Sequence, residues 1–177
     1  MTQSAIFNFP VDTARMMRAV ETPDDIGAVV RIHFEIDRAL EHIVNVMVPA
    51  AKHLGHRFMD QRIKFLLSLG LPEERVQPAR VLNIIRNDFA HREKEALGQS
   101  DVDSLEGPVV KMLGQSIPAD FALRYNKKDG SQRGWMYGKM SYKEKFCMLG
   151  FFTLSGIATI ENHFSKIALV ALSDSSG

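Results

Sequence analysis

Arg86, Asn87 and His91 lie close together near the middle of the chain, and their side chains are types that phosphate chemistry uses. A guanidinium offers planar N–H donors that match phosphate oxygens. An imidazole changes charge near neutral pH and can pass a proton in either direction. An asparagine can orient both. The triplet could therefore hold a phosphate and move a proton. The spacing alone is weak, because an arginine and a histidine five apart arise often by chance. The plain alternative has Arg86 snorkelling from a core helix and His91 marking its C-terminal end.

The octet Ile84-Ile85-Arg86-Asn87-Asp88-Phe89-Ala90-His91 reads as the end of an amphipathic helix. At 100° per residue Arg86 sits about 40° from Leu82, at the edge of the buried stripe. Asn87 and His91 lie about 40° apart, whereas Arg86 and His91 diverge by about 140°. One straight helix does not aim both at one small ligand. Either the helix ends or unwinds near His91, or the cleft is shared between two protomers.

The triplet follows an apolar run and encloses Phe89-Ala90, and in this context Arg86-Asn87-x-x-x-His91 resembles the motif of the HEPN superfamily of helical domains. The upstream stretch is similar to the mannitol operon repressor group. It has an acidic amphipathic helix (Glu35, Asp37, Glu41), then a lysine-containing apolar helix ending Leu67-Ser68-Leu69-Gly70-Leu71. The resemblance covers roughly residues 25 to 95. It implies an all-α, HEPN-like antiparallel helical bundle and a homodimer whose two motifs line one groove. It also implies single-stranded RNA as the ligand, with metal-independent endoribonuclease chemistry. Arg86 would then hold the scissile phosphate and Asn87 would orient the phosphate or the imidazole. His91 would serve as general base or acid on the 2′-hydroxyl or the leaving oxygen, giving a cyclic phosphate. Glu35, Asp37 or Glu41 would add a polar group, with no basis for choosing among them. The alternatives are a non-catalytic transcriptional regulator acting through a partner protein, or the toxin half of a toxin–antitoxin pair.

Composition sets the frame. The 177 residues, 45% hydrophobic with a net charge of +1, suit a single helical domain, not a polycation. The lone cysteine, Cys147, allows no internal disulfide and suits a reducing cytoplasm. No basic and apolar leader is read at the N-terminus. The longest uncharged run, Phe146 to Ile160, has 15 residues and is short for a membrane span.

Helices are expected over Asp12–Val20, from Thr22 (as N-cap, with Pro23 first) to Val48, over Arg57–Leu69 with Gly70 as cap, and through the octet. Pro78 either kinks that last helix or marks its true first turn. A further helix opens at Ser100-Asp101. Ser141 and Glu144 form a capping box for a final helix reaching about Leu172, apolar almost all round and so central to a core or an oligomer interface. The core is thus expected over about 22–115 and 141–172, with an irregular basic insertion, loop or small hairpin, over about 116–140. His33 falls on the apolar stripe of its helix and reads as a satisfied core histidine. His53, His56 and Asp60 share one helical face, but Lys52 and Arg57 beside them argue against a cation, so no metal site is assigned.

Charge is uneven. Arg124 to Lys145 holds seven bases and two acids, with Tyr125, Trp135, Tyr137 and Tyr142 interleaved. Bases mixed with aromatics suit a single-stranded nucleic acid, through Lys127, Lys128, Arg133 and Trp135. The plain alternative is a solvated loop that Trp135 anchors to the core.

Overall fold

In the computed structural model, residues 9–48, 55, 57–91, 94–126 and 129–160 are described. The described chain is mainly α-helical, with six helices and one two-stranded sheet. His53, His56, Lys127 and Lys128, and the chain beyond Ile160, lie outside the described residues.

Helix α1 (Thr13–Glu21) starts at Asp12, whose carboxylate accepts the Arg15 N–H at 3.1 Å. Helix α2 (Asp25–Met47) starts at Asp24, not at Thr22 as expected. The Thr22 hydroxyl instead donates to the Arg18 carbonyl at 2.7 Å and closes α1. Two acceptors competed for the cap, and the carboxylate of Asp24 lies three residues before the free Gly27 N–H. Helix α3 (Met59–Ser68) gives way to Gly70 at φ +87°, a backbone that glycine adopts without strain. A 3₁₀ turn at Glu73–Arg75 then leads into α4 (Gln77–His91). Pro78 thus occupies the first turn of α4, where a missing N–H breaks no helical bond. Helix α4 runs unbroken to His91.

Helix α5 (Gln99–Leu113) is followed by the insertion, which is a small antiparallel hairpin. Strand β1 (Ala122–Asn126) pairs with β2 (Gln132–Met136), Arg124 opposite Gly134. Ser141 caps α6 (Tyr142–Ala158), and the Glu144 carboxylate returns to the Ser141 N–H at 2.9 Å. Helix α6 ends at Ala158, short of the expected Leu172. The Ser155-Gly156 pair weakens the last turn. The Thr159 hydroxyl then donates to the Gly156 carbonyl at 2.8 Å, and the Ile160 N–H bonds back only three residues, to the Ile157 carbonyl at 3.0 Å.

Helices α2 and α6 form the centre. Helix α2 packs on α1, α3, α4 and α6, and α6 also meets α1, α4 and α5. Phe146, Leu149, Leu154 and Ile157 of α6 pack with Ile32, Ile36 and Leu40 of α2, all fully buried. The all-round apolar character of α6 is therefore used inside the bundle. Helices α2 and α4 are antiparallel: His33 meets Asn83, and past the end of α4 the Leu97 N–H reaches the Asp25 carboxylate at 2.8 Å. Among the described residues no helix is long and apolar enough to cross a membrane.

Two glycines of α6 differ in what a methyl group would meet. A Cβ on Gly150 would lie 2.4 Å from Cγ2 of Ile32, a buried β-branched side chain with little room to turn. A Cβ on Gly156 would meet only the flexible end of Met112. We therefore expect Gly150→Ala to destabilise the fold by about 1–3 kcal/mol. Gly156→Ala should be neutral or gain up to about 1 kcal/mol from helix propensity. Urea unfolding of the two variants checks this, and equal effects would contradict the packing account.

Candidate functional site

Helix α4 is held by Leu82, Ile85 and Phe89 on its buried face, which fixes where its polar residues look. Asn83 and Arg86 lie toward α2. Ile84 and His91 lie within about 20° of one another on the outward face. The divergence of Arg86 and His91 inferred from helical spacing therefore stands in an unbroken helix. A single chain brings Arg86 and Asn87 together but not His91.

Arg86 is half-buried, and its Nη1 donates to the Asn87 Oδ1 at 3.1 Å. Among the described residues it has no carboxylate partner. Asn87 is thus engaged with the guanidinium itself. His91, the last residue of α4, is exposed, and its side chain makes no hydrogen bond among the described residues.

The structure adds a member that spacing alone did not point to. His33, half-buried on α2, shares a 3.0 Å hydrogen bond with the Asn83 carbonyl oxygen across the α2–α4 seam, fifty residues away in sequence. It is satisfied, as its place on the apolar stripe suggested, yet it also feels the charge of Arg86. Burial pushes its pKa below the ordinary 6.5, and Arg86 pushes the same way against the Asn83 bond and the attraction of Asp37. The signal available in the sequence was a histidine one helical register from an acid, Asp37, and nothing more.

The three candidate acids on α2, Glu35, Asp37 and Glu41, separate clearly. Glu35 is buried and accepts from Arg15 at 3.2 Å and Arg38 at 3.0 Å, on the α1 side. Asp37 and Glu41 share the buried Arg62 of α3, at 2.6 and 3.2 Å. Asp37 is the one whose charge reaches His33 beside Arg86.

On the hairpin, the Arg133 guanidinium lies over the Trp135 ring at 4.9 Å. The indole N–H donates to Glu144 at 2.9 Å, and Glu144 also faces Arg133 at 3.5 Å. Trp135 is half-buried, so part of its ring is already covered from within the chain. Burial alone would raise the Glu144 carboxyl, but the Ser141 and Trp135 hydrogen bonds and Arg133 bring it below its usual range. Asp60 pairs with Lys64 at 2.7 Å. Among the described residues no three His, Cys, Asp or Glu side chains group in a way that could hold a metal ion. Comparison with family models, with curated proteins and with solved structures finds no match.

His33 supplies a pH test. The unfolded chain binds a proton near 6.5 that the folded chain resists, so stability is complete above that pH and falls as pH drops through it. We expect the melting temperature to fall from pH 8 to pH 5, with a shallower fall in His33→Gln. A variant that keeps the full slope would assign the dependence to other groups. Phosphate added to the wild type should move the His33 NMR titration upward, because an anion on Arg86 cancels its repulsion.

Proposed function

We propose that this chain is an HEPN-like RNA-binding protein that works as a homodimer, with metal-independent endoribonuclease chemistry in a groove between two copies. The observation that carries the reading is Arg86: half-withdrawn from water, steadied by Asn87, and without a carboxylate among the described residues. Burying a cation without a counter-charge is unfavourable, and a bound phosphate supplies one. Its planar donors not used by Asn87 suit phosphate oxygens.

The dimer rests on geometry. Ile84 is 54% exposed on the outward face that carries His91, and a large apolar side chain there is what an isologous contact would cover. Arg86 lies about 160° round α4 from Ile84, so the composite groove requires the second copy's His91 to reach round the end of α4 to the first copy's Arg86. His91 then takes the proton of a 2′-hydroxyl, whose oxygen attacks the neighbouring phosphorus while Arg86 balances the added charge. The leaving 5′-oxygen takes a proton, and a 2′,3′-cyclic phosphate remains.

A second reading, a non-catalytic regulator resembling the mannitol operon repressor group, is favoured by one observation: Asn87 is spent on Arg86, from which His91 diverges by about 140° within one chain. In that case the outward face of α4 binds a partner protein.

The two readings separate on Arg86→Ala and His91→Ala. The first expects both variants to stay within about 1 kcal/mol of wild-type stability while losing cleavage of a mixed single-stranded RNA pool in the presence of chelator. It also expects a dimer by light scattering at micromolar concentration. A wild type that is monomeric and cuts no RNA would leave the regulator as the better account.

A further inference from the structure

Helices α1 and α2 enclose a groove of about 500 Å³ on the opposite flank of α2 from the Arg86 seam, lined by Arg15, Arg18, Val30, Arg31, Phe34 and Glu35. Its volume lies in the ~300–1,000 Å³ range of ligand sites. The charges in it are not balanced one for one. Glu35 is consumed by Arg15 and Arg38, and Arg15 also pairs with Asp12 at 3.3 Å. Arg18 and Arg31 are both exposed, and neither has a carboxylate partner among the described residues. Arg31 is aimed by a 3.1 Å hydrogen bond from its Nε to the Thr22 hydroxyl, which leaves its terminal nitrogens open.

An aromatic ring lines the same groove. Phe34 is 55% exposed, with Arg38 over the ring at 5.9 Å from its centre. Val30, one turn earlier, is 50% exposed and continues the apolar strip. An exposed ring in one groove with two guanidinium groups, Arg18 and Arg31, that lack carboxylate partners among the described residues fits a base and its flanking phosphates: the ring takes the π-face and the two arginines take the anions. The strip also links two anion-binding places. Antiparallel packing puts Val30 beside the turn of α4 that carries Arg86, and Phe34 lies about 100° round α2 from His33.

We propose that the α1–α2 groove is a second single-stranded RNA subsite, with Phe34 stacking a base and Arg18 and Arg31 holding phosphates of the strand whose neighbouring phosphate sits at Arg86. This rests on the RNA-binding reading and extends it: the strand crosses the exposed strip of α2 instead of ending at the seam.

The probe is a fluorescent ten-nucleotide oligouridylate, read by anisotropy across a salt series, with thermal melting of every variant. Arg18→Ala combined with Arg31→Ala should weaken binding at least about tenfold and flatten the slope of log affinity against log salt by about 1.4, two phosphates at ~0.7 each. Phe34→Ala should weaken binding about 5- to 100-fold with the slope unchanged. Arg18→Lys with Arg31→Lys should keep the wild-type slope. If the alanine pair does not fold, the lysine pair and Phe34→Ala decide. Unaltered affinity and slope in the groove variants, with Arg86→Ala still weak, overturns the subsite and leaves the RNA reading standing. A wild type that binds no oligouridylate even at low salt overturns the RNA reading and the subsite with it. Displacement of the oligonucleotide by polyglutamate at equal charge would assign the groove to an acidic protein and overturn the proposal.

Discussion

The close approach of α6 to α2, where Gly150 presents no side chain to Ile32, is the contact on which the rest of the arrangement depends. It lets two long helices share one core, with Ile32, Leu149, Leu154 and Ile157 fully buried between them. Helix α2 then has neighbours on most of its circumference: α6, α1, α3 and α4. Among the described residues, the large apolar side chains that α2 leaves exposed form one strip, Ile26, Val30 and Phe34, bounded by α1 on one side and by α4 on the other. Both places proposed to bind anions border this strip. The function proposed here is thus a consequence of where α2 runs out of partners.

The charges follow the same plan. Glu35 and Arg62 are the buried members of two ion-pair groups that join α2 to α1 and to α3. Each of these two buried charges has two partners of opposite sign, the condition under which burial of a charge is tolerated. Arg86 breaks the rule. Across the seam it faces His33, whose pKa burial lowers and whose ring bonds to Asn83 of α4 itself. A seam that lowers its histidine's pKa and gives its arginine no carboxylate among the described residues is what the proposed anion site rests on.

Much of this was legible in the sequence, and the reasons are local. Ser141 and Glu144 announced α6 because a capping box is written within four residues. Pro78 left two readings, and the first-turn one is observed because a proline there costs no hydrogen bond. The hairpin around Gly130 was one of two options for a stretch rich in glycine. The start of α2 was misplaced by two residues, since Thr22 and Asp24 are both good caps and only the geometry of α1 assigns Thr22 elsewhere. The length of α6 was overstated because apolar content says nothing about where a Ser-Gly pair lets a helix stop. Of the site, the divergence of Arg86 and His91 follows from helical periodicity alone. The His33–Asn83 bond and the α1–α2 groove do not, because both join helices whose relative placement no local pattern encodes.

The central claim is that Arg86 of one copy works with His91 of another. Subunit mixing tests it most directly. Arg86→Ala and His91→Ala proteins, each inactive alone, are unfolded together and refolded at equal concentration. Random pairing makes half the dimers mixed, each with one intact composite groove, so the account predicts recovery of about one quarter of wild-type RNA cleavage. Mixtures that remain as inactive as their components would contradict it.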